Sequence, residues 1–109
     1  MRRNRQSGKK GMIVTMKIEN IPEAFSVTLR LKIITALVSS ARTFKELREI
    51  TQATQGNLSV QLTKLEEWGY LTSEKMIEKK KTKSTYTITE FGLQQFEAYV
   101  SLLQSVLQK

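Results

Sequence analysis

The sequence lacks three residue types that carry much of the chemistry of enzymes and metal sites. It contains no Cys, no His and no Asp, so all ten acidic residues are Glu. A chain without thiols or imidazoles cannot build a typical zinc site, a nucleophilic cysteine, a Ser-His pair or a disulfide. The sequence also shows no Gly-rich phosphate loop and no paired-carboxylate motif. This composition argues against an enzyme and predicts no metal site and no cofactor.

Long apolar segments are missing as well. No stretch reaches the roughly 18 consecutive apolar residues that a membrane-spanning helix needs. The basic start of the chain is like that of a signal peptide, but the segment "MIVTMKIEN" turns polar too soon to continue one. A length of 109 residues predicts one domain with one modest core. We therefore expect a soluble cytoplasmic protein with no membrane partner.

Positive charge is concentrated in two short segments of a chain whose net charge is +8. Residues 1 to 11 carry five basic residues and no acidic one, and residues 75 to 83 carry five Lys and one Glu. The rest of the chain is close to neutral. Such local charge favours a polyanionic partner. Lysines on a tail and a loop can also serve solubility alone, and the charge by itself does not decide between the two interpretations.

The start of the chain changes character near residue 20. Residues 1 to 11 have charge, Gly and Ser but almost nothing apolar, so we expect a disordered basic tail ahead of a domain at residues 12 to 109. Pro22 suits the first turn of a helix that ends near residues 39 to 41. The apolar residues that recur at helical spacing in this segment are Phe25, Leu29, Ile33, Ile34, Leu37 and Val38.

A short helix and a longer one are predicted next. Thr43 and Glu46 have the spacing of a capping box. A link at residues 51 to 53 separates this short helix from a third one, which Thr54 caps and Gly69 ends. Two helices with so short a link match the spacing of a helix-turn-helix unit, although many helical hairpins share it. The apolar positions of the two helices are Phe44, Leu47 and Ile50, then Leu58, Leu62 and Leu65.

The following segment has the pattern of strands. Residues 84 to 89, "STYTIT", alternate and are rich in β-branched and aromatic residues. Residues 71 to 79 are a poorer strand, which we expect to pair with the first across a turn near residues 81 to 83. Thr89 then caps a last helix at about residues 90 to 108. The predicted fold is mainly α, with a small β-hairpin whose tip carries the positive charge.

The segment "TFKELREITQATQGNLSVQLTKLEEWGYL", followed by "KKKTKSTYTITEFG", resembles the small winged helix-turn-helix transcriptional regulators related to the MarR and ArsR groups. The resemblance covers about residues 22 to 100, and its motifs are specific in combination rather than singly. It implies a DNA-binding regulator, commonly a homodimer, with its third helix in the major groove and its wing along the backbone or minor groove. The all-lysine wing tip departs from family members, which often have Gly and Arg there.

The third helix has an outward face that suits the reading of bases. With the leucines turned inward, the opposite face presents Asn57, Val60, Gln61 and Lys64. Amide side chains can pair bidentately with an adenine edge, Lys can reach guanine or phosphate, and a small apolar residue can meet a thymine methyl. The helix start near Gly56 offers backbone N–H groups to a phosphate. Polar residues on a solvated helix face are also ordinary, so this face supports the prediction of base reading only in combination with the wing.

The predicted DNA contacts come from a recognition helix at residues 54 to 68 and a basic wing at residues 75 to 85. They are Thr54, Gln55, Gly56, Asn57, Ser59, Val60, Gln61, Lys64, Lys79, Lys80, Lys81, Thr82, Lys83 and Ser84. We expect Glu66 and Glu67 to point away from DNA, because like charge repels phosphate. We expect Trp68 to pack on the wing or the last helix rather than stack on a base.

The last helix carries more apolar surface than one small domain is expected to cover. Two stripes run along it, and the spacing of three and four residues suits helix-to-helix packing. The predicted homodimer contacts are Phe91, Phe96, Tyr99, Val100, Leu102, Leu103, Val106 and Leu107.

These observations predict a homodimeric transcriptional regulator, acting as a repressor, that binds a specific sequence of double-stranded DNA in the cytoplasm, on the nucleoid. Winged-helix domains also serve as protein-interaction modules, in which case the outward face of the third helix would bind protein and the wing would be dispensable. RNA binding ranks third, because no aromatic platform for unpaired bases is visible. The sequence leaves open whether a small effector binds.

Overall fold

The computed structural model describes residues 16–108, which form four α-helices and a three-stranded antiparallel sheet. Two short 3-10 turns, Ile18–Asn20 and Glu23–Phe25, come first. The elements then follow as α1 (Thr28–Ser39), β1 (Arg42–Thr43), α2 (Phe44–Thr51), α3 (Gln55–Glu67), β2 (Leu71–Glu78), β3 (Lys81–Ile88) and α4 (Glu90–Leu107). This is the predicted fold, mainly helical with a hairpin wing. The predicted basic tail, residues 1 to 11, lies outside the described residues.

The sheet joins the hairpin to the helices through β1, a two-residue strand that the sequence did not predict. Its strand order is β1-β3-β2, and Arg42 and Thr43 of β1 lie opposite Tyr86 and Thr85 of β3. The wing is therefore anchored at its base directly before α2. Among residues 16–108, no helix is long and apolar enough to cross a membrane.

Side-chain caps start three of the helices where the sequence predicts them. At α2, the Thr43 hydroxyl accepts from Glu46 N at 3.1 Å and the Glu46 carboxylate accepts from Thr43 N at 2.8 Å, which completes the capping box. The Thr54 hydroxyl accepts from Asn57 N at the start of α3. The Thr89 hydroxyl accepts from Gly92 N at the start of α4. These caps satisfy backbone donors that a helix start leaves without partners.

Gly69 ends α3 as predicted, and it does so through a left-handed backbone conformation. Its φ is +85°, in the region that glycine adopts at least cost. The N–H of Gly69 donates to the carbonyl of Glu66, and the N–H of Tyr70 donates to the carbonyl of Leu65. This pair of bonds is the Schellman arrangement, which satisfies the last carbonyls of a helix and turns the chain. The turn directs the chain from α3 into the wing.

The core lies between the helices and the base of the wing. Its buried apolar residues are Ala24, Phe25, Ile33, Ile34, Leu37, Leu47, Leu58, Leu62, Leu65, Tyr70 and Leu71. The inward orientation predicted for the three leucines of α3 is confirmed, since none is more than 2% exposed. Two predicted apolar positions differ: Val38 is 40% exposed and Ile50 is 47% exposed.

The prediction that the first helix starts at Pro22 is wrong. Pro22 precedes the 3-10 turn, the Ser26 hydroxyl donates to the Glu23 carbonyl at 2.8 Å, and α1 begins only at Thr28 after an extended Val27. Tertiary packing overrides the helical spacing here. Phe25 is 4% exposed and lies within aromatic contact distance of the ring of Tyr70, directly before β2, and of the ring of Tyr99 in α4.

The predicted position of the hairpin turn is also wrong. The turn is formed by Lys79 and Lys80, with Glu78 paired to Lys81 in register, so residues 81 to 83 belong to β3. Both turn residues have positive φ, +51° and +66°. Two-residue hairpin turns of type I′ need this conformation, which Asn-Gly normally supplies. A run of lysines gives no local signal for it.

Candidate nucleic-acid interface

The outward face of α3 is built as the sequence predicts at three of its four positions. Asn57 and Lys64 are exposed, and Val60 is 51% exposed. The buried leucines on the other face fix the rotation of the helix. Polar and small apolar groups therefore stand on a rigid surface, where they can meet the edges of bases in a groove.

The fourth position, Gln61, differs from the expectation of a free side chain. It is half-buried, and its Oε1 accepts from Nε of Arg30 at 2.7 Å. Its Nε2 lies 3.4 Å from Oδ1 of Asn57. Arg30 belongs to α1 and is only 5% exposed, yet it carries a charge. Sequence reasoning missed Arg30, because no local pattern joins two residues that lie 31 positions apart.

Trp68 packs against α1 in the structure, whereas we predicted a contact with the wing or the last helix. Its ring lies 5.0 Å from the guanidinium carbon of Arg30, in the geometry of a cation–π interaction. The second nitrogen of that guanidinium, Nη1, donates to the carbonyl of Glu23 at 2.7 Å. Glu66, at the end of α3, accepts from the Ser73 hydroxyl of β2 with both carboxylate oxygens. Whether Glu66 points away from DNA stays a prediction.

The start of α3 is open to solvent. Thr54, Gln55, Gly56 and Ser59 are exposed. A Cβ added to Gly56 would meet no other heavy atom within 4 Å. Packing within the chain therefore gives no reason for a glycine here. The absence of a side chain instead leaves the backbone N–H groups of the first turn accessible to an approaching anion.

The wing divides its polar residues between two faces. Residues directly opposite each other on paired strands share a face. Lys81 and Lys83 lie opposite Glu78 and Met76, whereas Thr82 and Ser84 share the other face with their partners Ile77 and Lys75. Lys75 was not among the predicted contacts. Every second residue of a strand lies on the same face, so the spacing of residues 75, 77 and 79 in the sequence could have identified it. Lys79 and Lys80 stand at the tip.

A cleft of about 700 Å³ lies between the wing and the start of α2. The side chains that line this cleft carry charges of both signs. They include Lys45, Glu46, Glu49, Glu78, Lys79, Lys81 and Lys83. The hydrogen bond from the backbone of Thr43 is the main cause that holds the pKa of Glu46 below its ordinary value, and the charges of Arg42 and Lys83 act in the same direction. The wing charge is thus partly offset on the side that faces α2. Residues 16–108 hold no cluster of acidic side chains that could bind a metal ion.

The predicted dimer residues of α4 fall into two groups. Phe96 and Tyr99 pack against the core of their own chain, and the Tyr99 ring stacks on Phe25 with centroids 4.7 Å apart. Val100 and Leu102 are half-buried. The remaining residues are exposed, by 46% for Phe91, Leu103 and Val106 and by 84% for Leu107. Phe91 also contacts the ring of Tyr70 in its own chain, with centroids 5.2 Å apart. Leu103, Val106 and Leu107 form the exposed end of α4. The chain thus packs against the first part of α4 and leaves the apolar residues of its last turns exposed, instead of covering one of the two predicted stripes along its whole length. The dimer contacts stay a prediction.

A family profile described as "Winged helix DNA-binding domain" matches residues 29–107 of the sequence. The matched region extends from α1 to the end of α4 and includes the outward face of α3 and the whole wing. No curated protein matches the sequence significantly.

Several solved structures are similar to the chain. One, assigned to the MarR family of transcriptional regulators from Enterococcus faecalis V583, is 23% identical, with a TM-score of 0.67 and 74% of each chain covered. A transcriptional regulator homologue from Pyrococcus horikoshii OT3 is 26% identical, with a TM-score of 0.68 over 73% of this chain and 80% of the other. Bacillus subtilis PadR, solved in complex with operator DNA, is 21% identical, with a TM-score of 0.62 over 67% of this chain and 46% of PadR.

Proposed function

Because the chain belongs to the family of winged helix DNA-binding domains, we propose that it is a transcriptional regulator that binds a specific sequence of double-stranded DNA. The observation that carries the proposal is the outward face of α3, with Asn57, Val60 and Lys64 exposed on a helix that three buried leucines hold in place. The presence of operator DNA in the PadR structure supports the choice of duplex DNA as the ligand.

In this proposal α3 enters the major groove. A groove of B-DNA about 12 Å wide admits one helix, and each base pair presents a distinct set of donors, acceptors and methyl groups there. The exposed start of α3, with Gly56 and the backbone N–H groups behind the Thr54 cap, binds a phosphate at the groove edge. This contact sets the depth and orientation of the helix.

The wing supplies affinity that does not depend on sequence. Five lysines between residues 75 and 83 stand on a two-stranded hairpin whose base is fixed to β1. Each phosphate that a lysine neutralises contributes about −0.9 to the slope of log K against log salt concentration on B-DNA. The wing therefore follows the backbone or the minor groove while α3 reads the major groove.

The regulator acts as a homodimer joined through the exposed end of α4, where Leu103, Val106 and Leu107 lie. Apolar residues that their own chain leaves exposed are suited to packing against the same residues of a second copy. Two copies would place two α3 helices about 34 Å apart, one turn of DNA, on a near-palindromic site.

A dimer seated on such a site within a promoter would exclude polymerase, and we therefore propose a repressor.

Selection of bound fragments from sheared genomic DNA, followed by titration of the selected site at two salt concentrations, tests DNA recognition. We expect one sequence to be enriched. Lys81→Gln with Lys83→Gln should weaken binding to all sequences alike and make the salt slope shallower by about 0.9 per lost phosphate contact. The matched control is Lys17→Gln with Lys32→Gln, which removes the same charge from exposed positions outside α3 and the wing. If no fragment is enriched, specific recognition fails and a protein-binding role gains weight.

Light scattering tests the dimer. We expect twice the mass of one chain at tens of micromolar, and a fall to one chain mass for Leu103→Ser with Leu107→Ser. Ile77→Ser, which removes an apolar side chain that is 82% exposed on the wing, should leave the mass unchanged. A monomeric wild-type protein would exclude this arrangement.

A further inference from the structure

Arg30 is a buried cation whose surroundings are organised around its guanidinium. It is 5% exposed, and its two resolved hydrogen bonds reach the Gln61 side chain and the Glu23 carbonyl, each at 2.7 Å. The Trp68 ring covers the guanidinium at 5.0 Å. Burial of a charge is costly unless its donors are matched with acceptors. These three contacts therefore hold Arg30 in one position.

The bond from Arg30 decides which end of the Gln61 amide faces the protein. A guanidinium has only donors, so the oxygen of Gln61 must face it and the NH2 group must face the other way. The NH2 group lies 3.4 Å from Oδ1 of Asn57, one helical turn earlier. The oxygen of Asn57 is thus turned toward Gln61, and the NH2 group of Asn57 is turned away from it.

This order of contacts leaves donors on the outward face. A bidentate contact to adenine needs a donor and an acceptor on the same amide, because adenine offers N6–H and N7. The oxygen of Gln61 faces the buried guanidinium of Arg30 and is therefore turned away from the groove, so the amide lacks the acceptor that this contact needs. Guanine presents two acceptors, N7 and O6, at the same edge. The NH2 groups of Gln61 and Asn57 and the ammonium of Lys64 match acceptors of this kind.

We propose that Arg30 is a positioning residue that turns the NH2 donor of Gln61 outward and thereby selects guanine over adenine at the base pair contacted by Gln61. The proposal rests on the proposed function, since it needs α3 in the major groove. Arg30 itself touches no base in this arrangement. Arg30 affects the base preference only by fixing the orientation of the Gln61 amide.

Selection from randomised duplexes around the enriched site, with wild-type protein and variants, tests the proposal. Wild-type protein should prefer guanine to adenine about tenfold at one position, and Gln61→Ala should abolish that preference. Arg30→Met keeps most of the side-chain volume, frees the amide of Gln61, and should lower the guanine preference about tenfold with the salt slope unchanged. The double variant should match Gln61→Ala, because the two residues act through one contact.

A second variant keeps the test valid if Arg30→Met does not fold. Gln61→Glu retains an acceptor for Arg30 but removes the outward donor, so the fold should persist and the guanine preference should vanish. Arg30→Met with an unchanged base preference, or Gln61→Glu that still prefers guanine, would overturn the proposal while DNA recognition stands. If the wild-type protein enriches no sequence at all, both this proposal and the proposed function fail.

Discussion

The ring of Tyr99 stacks on the ring of Phe25 with centroids 4.7 Å apart and planes 9° from parallel. This contact joins the segment before α1 to the middle of α4 and closes the core on that side. Tyr99→Ala should lower the free energy of unfolding by about 2–3 kcal/mol, through lost burial and lost ring stacking. Urea denaturation measures the effect. Tyr99→Phe is the control, because it keeps the ring and should cost less than about 1 kcal/mol; equal losses in both variants would show that the hydroxyl, not the stacking, matters.

Gly92 lies directly against the carbonyl of Tyr70, and a Cβ at position 92 would collide with that oxygen. An ordinary Gly→Ala change within a helix stabilises by roughly 0.5–1 kcal/mol. Here we expect the opposite sign, because the Tyr70 carbonyl accepts the Thr89 N–H and cannot move without breaking that bond. Thermal unfolding of Gly92→Ala checks the sign. A rise in melting temperature would mean that α4 can shift away from the strand.

Local chemistry made part of this structure predictable from the sequence. Thr43, Thr54 and Thr89 cap helices and Gly69 ends one, because each acts on backbone groups within a few residues. The break before α1 was not predictable in this way, since it depends on the packing of Phe25 against residues far along the chain.

The same limit applies to the candidate site. Periodicity predicts which residues of α3 face outward, because three buried leucines determine the rotation of the helix. It cannot reveal that Arg30 binds Gln61 and stacks on Trp68, since these pairs are long-range. The turn at Lys79 and Lys80 was missed for a different reason. All residues in a run of lysines have the same φ preference, so the sequence does not show which two of them form the turn.

The left-handed conformation of Lys80, with φ of +66°, makes the wing tip strained. A left-handed residue with a Cβ costs roughly 1–2 kcal/mol, so Lys80→Gly should stabilise the fold by about 1 kcal/mol. Lys83→Gly removes the same charge from an extended strand position and should destabilise by a similar amount. Chemical denaturation of the two variants should therefore give shifts of opposite sign. Two shifts of the same sign would indicate that loss of charge, rather than backbone strain, controls the stability of the wing.

Two tyrosines, of which Tyr70 is buried and Tyr86 is half-buried, should make the fold sensitive to alkali. Burial raises the pKa of Tyr70, and it is also the main cause of the raised pKa of Tyr86. The unfolded chain releases these protons at about pH 10, earlier than the folded chain does. The contribution of these two tyrosines to the free energy of unfolding is therefore fully present below about pH 10 and declines as the pH rises above it. Tyr70→Phe removes one such group, so its urea midpoint should fall less than that of wild-type protein between pH 8 and pH 11. An equal fall would show that Tyr70 does not contribute.

Gly56 offers a way to separate stability from DNA binding. A methyl group at this position meets nothing within 4 Å, so Gly56→Ala should stabilise α3 by roughly 0.5–1 kcal/mol. The same methyl group would stand where we propose that a phosphate approaches the first turn of α3, so affinity for the selected site should fall several-fold. Urea denaturation and a DNA titration at constant salt measure the two effects. Thr63→Ala, at an exposed position of α3 outside the predicted DNA contacts, serves as the control, because it adds no bulk near the first turn. A more stable variant with undiminished affinity would place the phosphate elsewhere.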